Sequence, residues 1–177
     1  MNFVKINDEV FYSSRGIVKV RKAEINQLKQ FAREASRKRS RLCAHQHTDE
    51  PLHEMLIVQE KGIYVRPHKH LGKIESFHVI EGEVNIVIFD DEGIILDVIE
   101  MGDYASGNIF YYRLSASLFH TVLVKSNIVV FHETTNGPFR REDTIFTEWS
   151  PEDKDAGATQ QFLEKLKHKL TEFTRRS

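Results

Sequence analysis

Two histidines and a glutamate in the middle of the chain are spaced so that their side chains can bind one metal ion. His68 and His70 are two residues apart, and on a β-strand such residues share a face and lie roughly 6.5 Å apart along it. Glu75, at the start of the next predicted strand, can point the same way. Two neutral imidazoles and one carboxylate form a facial ligand set with open coordination positions. His120, inside an apolar strand, is the best placed fourth ligand for one divalent metal ion: Fe, Mn, Ni, Co or Zn.

Three further side chains are candidates for catalysis beside this centre. If the two ligand histidines face the interior of a barrel, strand alternation places Tyr64 and Arg66 on the same face. Arg66 then either binds a carboxylate or phosphate of the substrate or pairs with a structural acid, Glu54 or Glu133. Tyr64 or Tyr112 can transfer a proton, and core packing is the alternative for Tyr112.

The remaining histidines of this region have open assignments: His45, His47, His53, His78 and His132. His45 and His47 either add a ligand or belong to a polar segment that crosses the barrel mouth. His78 is out of phase with Glu75 along the strand and should therefore face away from the metal. Either His132 or Glu133 must point inward on its own strand.

The pattern of apolar residues predicts a β-rich centre between two helices. Residues 1–20 contain short β-leaning pieces at 3–6 and 17–20, and a helix is predicted over residues 22–38. The basic residues in 33–41 either hold a pyrophosphate or another anion, or form the solvated end of that helix. Phe162, Leu166 and Leu170 share one face of a second helix over 159–173, which packs on the barrel or on a second subunit. The predicted strands are residues 55–60, 63–68, 75–81, 83–89, 94–99, 110–114, 120–124 and 128–133.

Strand number and spacing favour a closed barrel or a jelly roll. We expect one domain over residues 1–177, with the barrel core at about 52–146, an N-terminal extension at 1–41 and a C-terminal helix at about 159–175. The formal charge of −1 and the single cysteine, Cys43, argue against nucleic-acid binding and against a disulfide framework. No apolar run is long enough for a membrane span and the first residues lack a signal sequence, so we expect a cytoplasmic location.

The central motif resembles the first motif of the cupin superfamily, in which a glycine, His-x-His, a glutamate and a second glycine have fixed spacing. Gly62, His68, His70, Glu75 and Gly82 fit every position. The second cupin motif is mostly absent: besides His120, the sequence has Ser115, Ser117 and Val124 where the family has proline, glycine and asparagine. The resemblance implies an all-β cupin fold, a double-stranded β-helix or jelly-roll barrel, to which the apolar pattern adds an N-terminal and a C-terminal helix.

Residues 64–70, 73–75, 89–93 and 120–122 make the chain similar, more narrowly, to the WbuC family of cupin-fold metalloproteins, which are found among bacterial genes for surface polysaccharide biosynthesis. The resemblance implies a metal-binding cupin that acts on a small molecule, an anionic sugar or nucleotide-sugar intermediate, with isomerisation or epimerisation favoured over oxidation. One alternative is a metal-bearing ligand sensor or assembly partner that does not catalyse a reaction. Another is a metal-free epimerase, against which the intact metal motif argues. We expect a homodimer.

Overall fold

Two β-sheets face each other across a shared interior, and one helix covers the outer side of each. The computed structural model describes residues 3–176. Their strands and helices, in chain order, are β1 (Phe3–Lys5), β2 (Val10–Ser13), α1 (Lys22–Glu34), β3 (Arg39–Cys43), β4 (Leu52–Glu60), β5 (His68–His70), β6 (Glu75–Glu81), β7 (Glu83–Phe89), β8 (Ile95–Gly102), β9 (Tyr111–Leu114), β10 (Phe119–Val124), β11 (Ile128–Asn136), β12 (Thr144–Phe146) and α2 (Ala156–Arg176).

The order of the strands is that of a jelly roll. One sheet contains β4-β11-β6-β9 and the other β5-β10-β7-β8, so that most neighbours in a sheet are distant in the chain. The pairings within these two sets are antiparallel, and β7 and β8, which follow each other in the chain, form a hairpin. The terminal segments extend both sheets, β3, β2 and β1 beside β4, and β12 beside β5. The predicted fold, an all-β jelly roll with an N-terminal and a C-terminal helix, is confirmed.

Three apolar clusters stabilise this arrangement. The interior cluster lies between the sheets and includes Phe77 and Phe131, whose rings stack at 4.6 Å. Leu28 of α1 is fully buried against the first sheet, and Leu166 and Leu170 of α2 pack on the second. The C-terminal helix therefore packs on the barrel, the first of the two positions predicted for it.

Inward-facing residues change character along the barrel. On β6 and β10 alternate residues point inward, and the series runs from polar Glu75 and His120 to apolar Val79 and Val124. On β11 the apolar positions come first and Glu133 follows near the end of the strand. Because neighbouring strands are antiparallel, the polar positions meet at the same end of the barrel.

The predicted end of the first helix is wrong. The helix ends at Glu34 rather than at residue 38, and Lys38 adopts a left-handed conformation (φ 51°) that leads into β3. Arg33 lies in the last turn of α1, whereas Arg39 and Arg41 belong to a strand that pairs in parallel with β2 and are not part of the helix end. The sequence of β3 does not show the alternation of apolar and polar residues that is typical of a strand. Its outer face buries Ser40 and Leu42, and the first of these is polar.

The strand predicted over residues 63–68 is also wrong. Residues 61–67 are irregular, and β5 begins only at His68. Gly62 has φ +87°, which turns the chain, and Pro67 has no N–H to donate to a sheet. Residues 17–20 form no strand either, since the N-terminal pairing uses β2 instead. The other predicted elements are present, with ends shifted by at most three residues.

Gly82 closes the turn between β6 and β7. Its φ is +86°, and a Cβ atom there would lie 2.3 Å from the Ile128 carbonyl oxygen. Only glycine fits this position without a shift of the backbone, and this is why the motif has its second glycine here.

Candidate metal centre

Strand register brings three histidines together. His120 of β10 pairs directly with His68 of β5, and His70 lies two residues further along the same strand. The ring centroids of His68 and His120 are 4.6 Å apart, those of His68 and His70 are 5.0 Å apart, and those of His70 and His120 are 5.8 Å apart. One nitrogen from each ring lies within 4.8 Å of the others, so this group could hold a metal ion.

Neighbouring groups orient each imidazole through its Nδ1 atom. His68 Nδ1 donates to the Arg66 carbonyl at 2.8 Å, and His120 Nδ1 donates to the Leu118 carbonyl at 3.1 Å. His70 Nδ1 lies 3.2 Å from the Thr144 hydroxyl. These contacts leave the Nε2 atoms to face the centre, and such outer contacts are the usual way in which ligand histidines are held. The donors thus fit a divalent transition metal.

Glu75 reaches the histidines from the opposite sheet. Its Oε1 atom is 2.9 Å from His120 Nε2 and accepts a hydrogen bond from the Tyr112 hydroxyl at 2.8 Å. Its Oε2 atom is 3.6 Å from His70 Nε2. The side chain is only 5% exposed, so almost all of its solvation comes from these groups.

The centre divides its charges between neutral imidazoles and one ion pair. Burial, together with His120, lowers the pKa of His68 to about 3, and burial also lowers the pKa of His70. Burial would raise the pKa of Glu75, but His120 outweighs it and the pKa is lowered. Burial would lower the pKa of His120, but the carboxylate of Glu75 outweighs burial and the pKa is raised. Two imidazoles are therefore neutral near pH 7 and have an electron pair available for a metal.

A cavity of about 610 Å³ opens beside the histidines and continues between the sheets toward β3. His68, His70 and Glu133 line it, whereas His120, Glu75 and Tyr112 do not. Burial, with Glu75 nearby, raises the pKa of Glu133 to about 8, so this carboxyl group holds a proton near neutral pH. Glu133, rather than His132, is the residue of β11 that points inward.

The structure places Tyr64 and Arg66 away from the cavity lining. The Tyr64 hydroxyl donates to the Pro151 carbonyl at 2.8 Å. Arg66 donates to the Thr147 carbonyl at 2.9 Å, and its guanidinium group lies 5.1 Å from the centroid of the Phe146 ring. Arg66 pairs with neither of the acids proposed for it. Both placements follow from the irregular backbone before β5, which removes the alternation on which the prediction was based.

The remaining histidines do not join the group of three. His45 and His53 are buried and stack at 4.0 Å on the cavity wall, whereas His47 is exposed. His78 is exposed on the outer face of β6, as its phase predicted. Cys43 is buried, and burial raises the pKa of its thiol.

The sequence prediction missed two polar residues that line the cavity, Gln59 and Thr135, which face it from β4 and β11. Arg41, from the basic segment considered for anion binding, faces the cavity from β3. For Gln59 a signal was present, because the inward series His53, Met55, Ile57 and Gln59 follows a strict alternation of two residues.

Comparison with known proteins supports the fold and leaves the activity open. A family model described as a domain of unknown function, DUF6016, matches residues 20–101, and no curated protein matches the chain. Protein SO0799 of Shewanella oneidensis is 14% identical over 70% of this chain and 78% of its own, with a TM-score of 0.50, a likeness of fold alone.

Two other solved structures are less similar. CapF of Staphylococcus aureus, a capsular polysaccharide assembling protein, is 19% identical over 56% of this chain, with a TM-score of 0.46. A mutant oxalate decarboxylase of Bacillus subtilis is 19% identical over 55% of this chain, with a TM-score of 0.44. The chain spans only about a quarter of each of them, 27% and 24% respectively.

The strand order and the histidine group together define a jelly roll with a group of three histidines that could hold one metal ion. In residues 3–176, neither helix combines the length and apolar character needed to cross a membrane.

Proposed function

We propose that this chain is a WbuC-type cupin that binds one divalent metal ion and acts on a sugar or nucleotide-sugar intermediate of bacterial surface polysaccharide biosynthesis. The observation that carries the proposal is the convergence of three oriented imidazoles beside a cavity of about 610 Å³. Small-molecule sites have volumes of roughly 300–1,000 Å³, so the cavity has room for such a ligand. The motif at residues 62–82 supports the family assignment.

His68, His70 and His120 would hold the metal, with Glu75 as the carboxylate of the set. A bound divalent ion supplies a Lewis acid that polarises a carbonyl group. The other roles, positioning and proton transfer, belong to side chains around the centre. Tyr112 donates to Glu75 and thereby fixes the carboxylate, which makes it a positioning residue in this proposal.

Isomerisation or epimerisation through an enol or enolate, the route proposed here, removes a proton from carbon and returns it. Glu133 suits this task because it lines the cavity and its pKa of about 8 lies near neutral pH. Its neutral form can donate a proton, and its ionised form can accept one. We therefore propose Glu133, in preference to Tyr64 or Tyr112, as the acid–base group of the cavity.

Elemental analysis tests the metal site. Full-length protein purified without added metal should contain about one ion per chain. His68→Ala and His120→Ala should each lose it, whereas His78→Ala, on the outer face of β6 in the opposite sheet, should retain it. A wild-type protein without metal, even after incubation with Fe²⁺, Mn²⁺ or Zn²⁺, would contradict the proposal.

Turnover separates an enzyme from a binding protein. We expect the metal-loaded chain to exchange a carbon-bound proton of a nucleotide sugar with solvent deuterium, and a chelator to stop the exchange. Tight binding of the same compounds without any exchange would favour the alternative, a metal-bearing sensor or assembly partner. The departure from the second cupin motif at Ser115, Ser117 and Val124 is the observation that keeps this alternative in view.

A further inference from the structure

We propose that Arg41 binds the anionic group of the cavity ligand, while His53, Gln59 and Thr135 bind its hydroxyl groups. The inference rests on the proposed function, because it concerns the ligand of the same cavity. It assigns the ligand class, a sugar that carries one phosphate or carboxylate, to named side chains.

Arg41 has its donors free, unlike the two arginines that precede it. Arg37 and Arg39 share the carboxylate of Glu9, with N–O distances between 2.6 and 2.9 Å. The Arg41 side chain forms neither a hydrogen bond nor an ion pair with any other described side chain or backbone group, although it lines the cavity from β3 and is exposed. A guanidinium group has five N–H donors in a planar fork that matches a carboxylate or phosphate.

The acids that line the cavity beside Arg41 are already paired with other residues: Asp8 with Lys5, and Glu9 with Arg37 and Arg39. Burial lowers the pKa of Arg39 and outweighs the opposing effect of its bond to Glu9, and the neighbouring guanidinium groups of Arg37 and Arg41 act in the same direction as burial. Glu133, the carboxyl group on the cavity wall nearer the histidines, is held neutral by its own burial and by Glu75. An anion that enters the cavity therefore meets one guanidinium group, that of Arg41, that is paired with none of these acids.

Unsatisfied polar atoms mark the rest of the wall. Among the described residues, five buried side-chain atoms have no hydrogen-bond partner, and three of them line this cavity: His53 Nε2, Gln59 Oε1 and Thr135 Oγ1. His53 and Gln59 are 5% and 6% exposed. Buried polar groups normally have partners, so a cluster of free ones on one cavity wall indicates a ligand that supplies them. A hydroxyl group both donates and accepts, which matches this mixture of atoms.

Register places these atoms along the length of the cavity. His53 pairs directly with Thr135 across β4 and β11, and Thr135 also pairs with Glu75, so these two polar atoms lie at the metal end. Gln59 is opposite Arg39, at the basic end. A sugar between the two ends can place its hydroxyl groups on these atoms, its anionic group at Arg41 and its carbonyl carbon near His68.

Calorimetric titration of the full-length, metal-loaded chain with three probes tests the inference. Glucose 1-phosphate, glucuronate and glucose share a hexose ring and differ in the charged group. We expect at least one anionic probe to bind about tenfold or more tightly than glucose, and the stronger of the two identifies phosphate or carboxylate as the anion. Arg41→Gln should remove that preference and Arg41→Lys should retain part of it. Arg113→Gln, which removes an exposed charge from the same sheet outside the cavity, is the matched control and should change nothing.

Gln59→Leu should weaken the charged and uncharged probes by a similar factor, because it removes a hydroxyl contact only. The inference is overturned if the wild-type chain binds neither anionic probe more tightly than glucose, or if Arg41→Gln keeps the preference. The metal content of the same samples separates the two proposals. Arg41→Gln should retain the ion, and a metal-free wild-type chain would contradict the proposed function while the anion preference could still be measured.

Discussion

Replacement of Glu133 by glutamine should stabilise the protein at neutral pH and leave it unchanged in acid. Glutamine has the shape of the carboxyl group without its charge. The pKa of Glu133 is raised from 4.5 to about 8, so between these values the folded protein binds one more proton than the unfolded chain. Glu133 therefore costs no stability below about pH 4.5, and the free energy of unfolding falls as the pH rises toward 8. The glutamine variant lacks this loss.

The size of the effect follows from the width of that window. Integration of the proton difference from about pH 5 to pH 7.5 gives about 3 kcal/mol as an upper limit. Glu133 borders a cavity rather than a sealed core, and solvent there reduces the value. We expect Glu133→Gln to gain about 1–3 kcal/mol over the wild type between these two pH values.

Urea unfolding of the chelated protein at the two pH values measures this difference. Glu54→Gln is the matched control, because Glu54 lies on the neighbouring strand with 47% of its side chain exposed. It should follow the wild type at both pH values. If Glu133→Gln is instead destabilising at pH 7.5, Glu133 is ionised and paired in the folded state. That result would also weaken the case for a free Arg41.

Three further substitutions test the scaffold around the centre. Tyr112→Phe removes a hydrogen bond to the buried carboxylate of Glu75 and should cost about 1.5–3 kcal/mol in urea unfolding. Tyr64→Phe, the control, removes an equally long hydrogen bond to a carbonyl group and should cost about 0.5–1.5 kcal/mol. Equal costs would contradict the negative charge assigned to Glu75. Gly82→Ala should lose at least about 2 kcal/mol, because its Cβ would meet the Ile128 carbonyl; a neutral result by thermal unfolding would refute the strain. Leu166→Ala should cost about 2–5 kcal/mol if α2 is held by the barrel, and a cost below 1 kcal/mol would exclude this.

The histidine centre could be predicted because its information is local. His68, His70 and Glu75 lie within eight residues of one another, and the period of a strand fixes which of them share a face. The position of His120 required information beyond the local sequence, because its pairing with His68 is a contact between strands distant in sequence. Its apolar neighbours indicated an inward-facing strand position, but they could not give the register.

Arg41, the residue proposed to bind the anion, could not be singled out from the same pattern. Alternation favoured Arg66, and it fails there because Pro67 cannot donate to a sheet and the preceding backbone is irregular. Arg41 was considered only as one member of a basic segment. Four residues separate the end of α1 from β3, and β3 is held by a parallel pairing with β2, a tertiary contact that the local sequence does not reveal. The period of the sequence fixes a side chain's face only where the strand itself is present.

The cavity contains groups whose interactions the protein itself leaves incomplete, and this predicts a thermal response to ligands. A protonated glutamate, a free arginine and three unpartnered polar atoms are each less favourable than apolar residues of similar size would be. A ligand that completes these interactions binds the folded state alone and should raise the unfolding temperature with its concentration. Metal and an anionic sugar should therefore each raise the midpoint, and both together should raise it further, when measured by differential scanning calorimetry. In Arg41→Gln the response to metal should persist while the response to the sugar falls, and the loss of both responses in that variant would show that the two ends of the cavity do not act as separate sites.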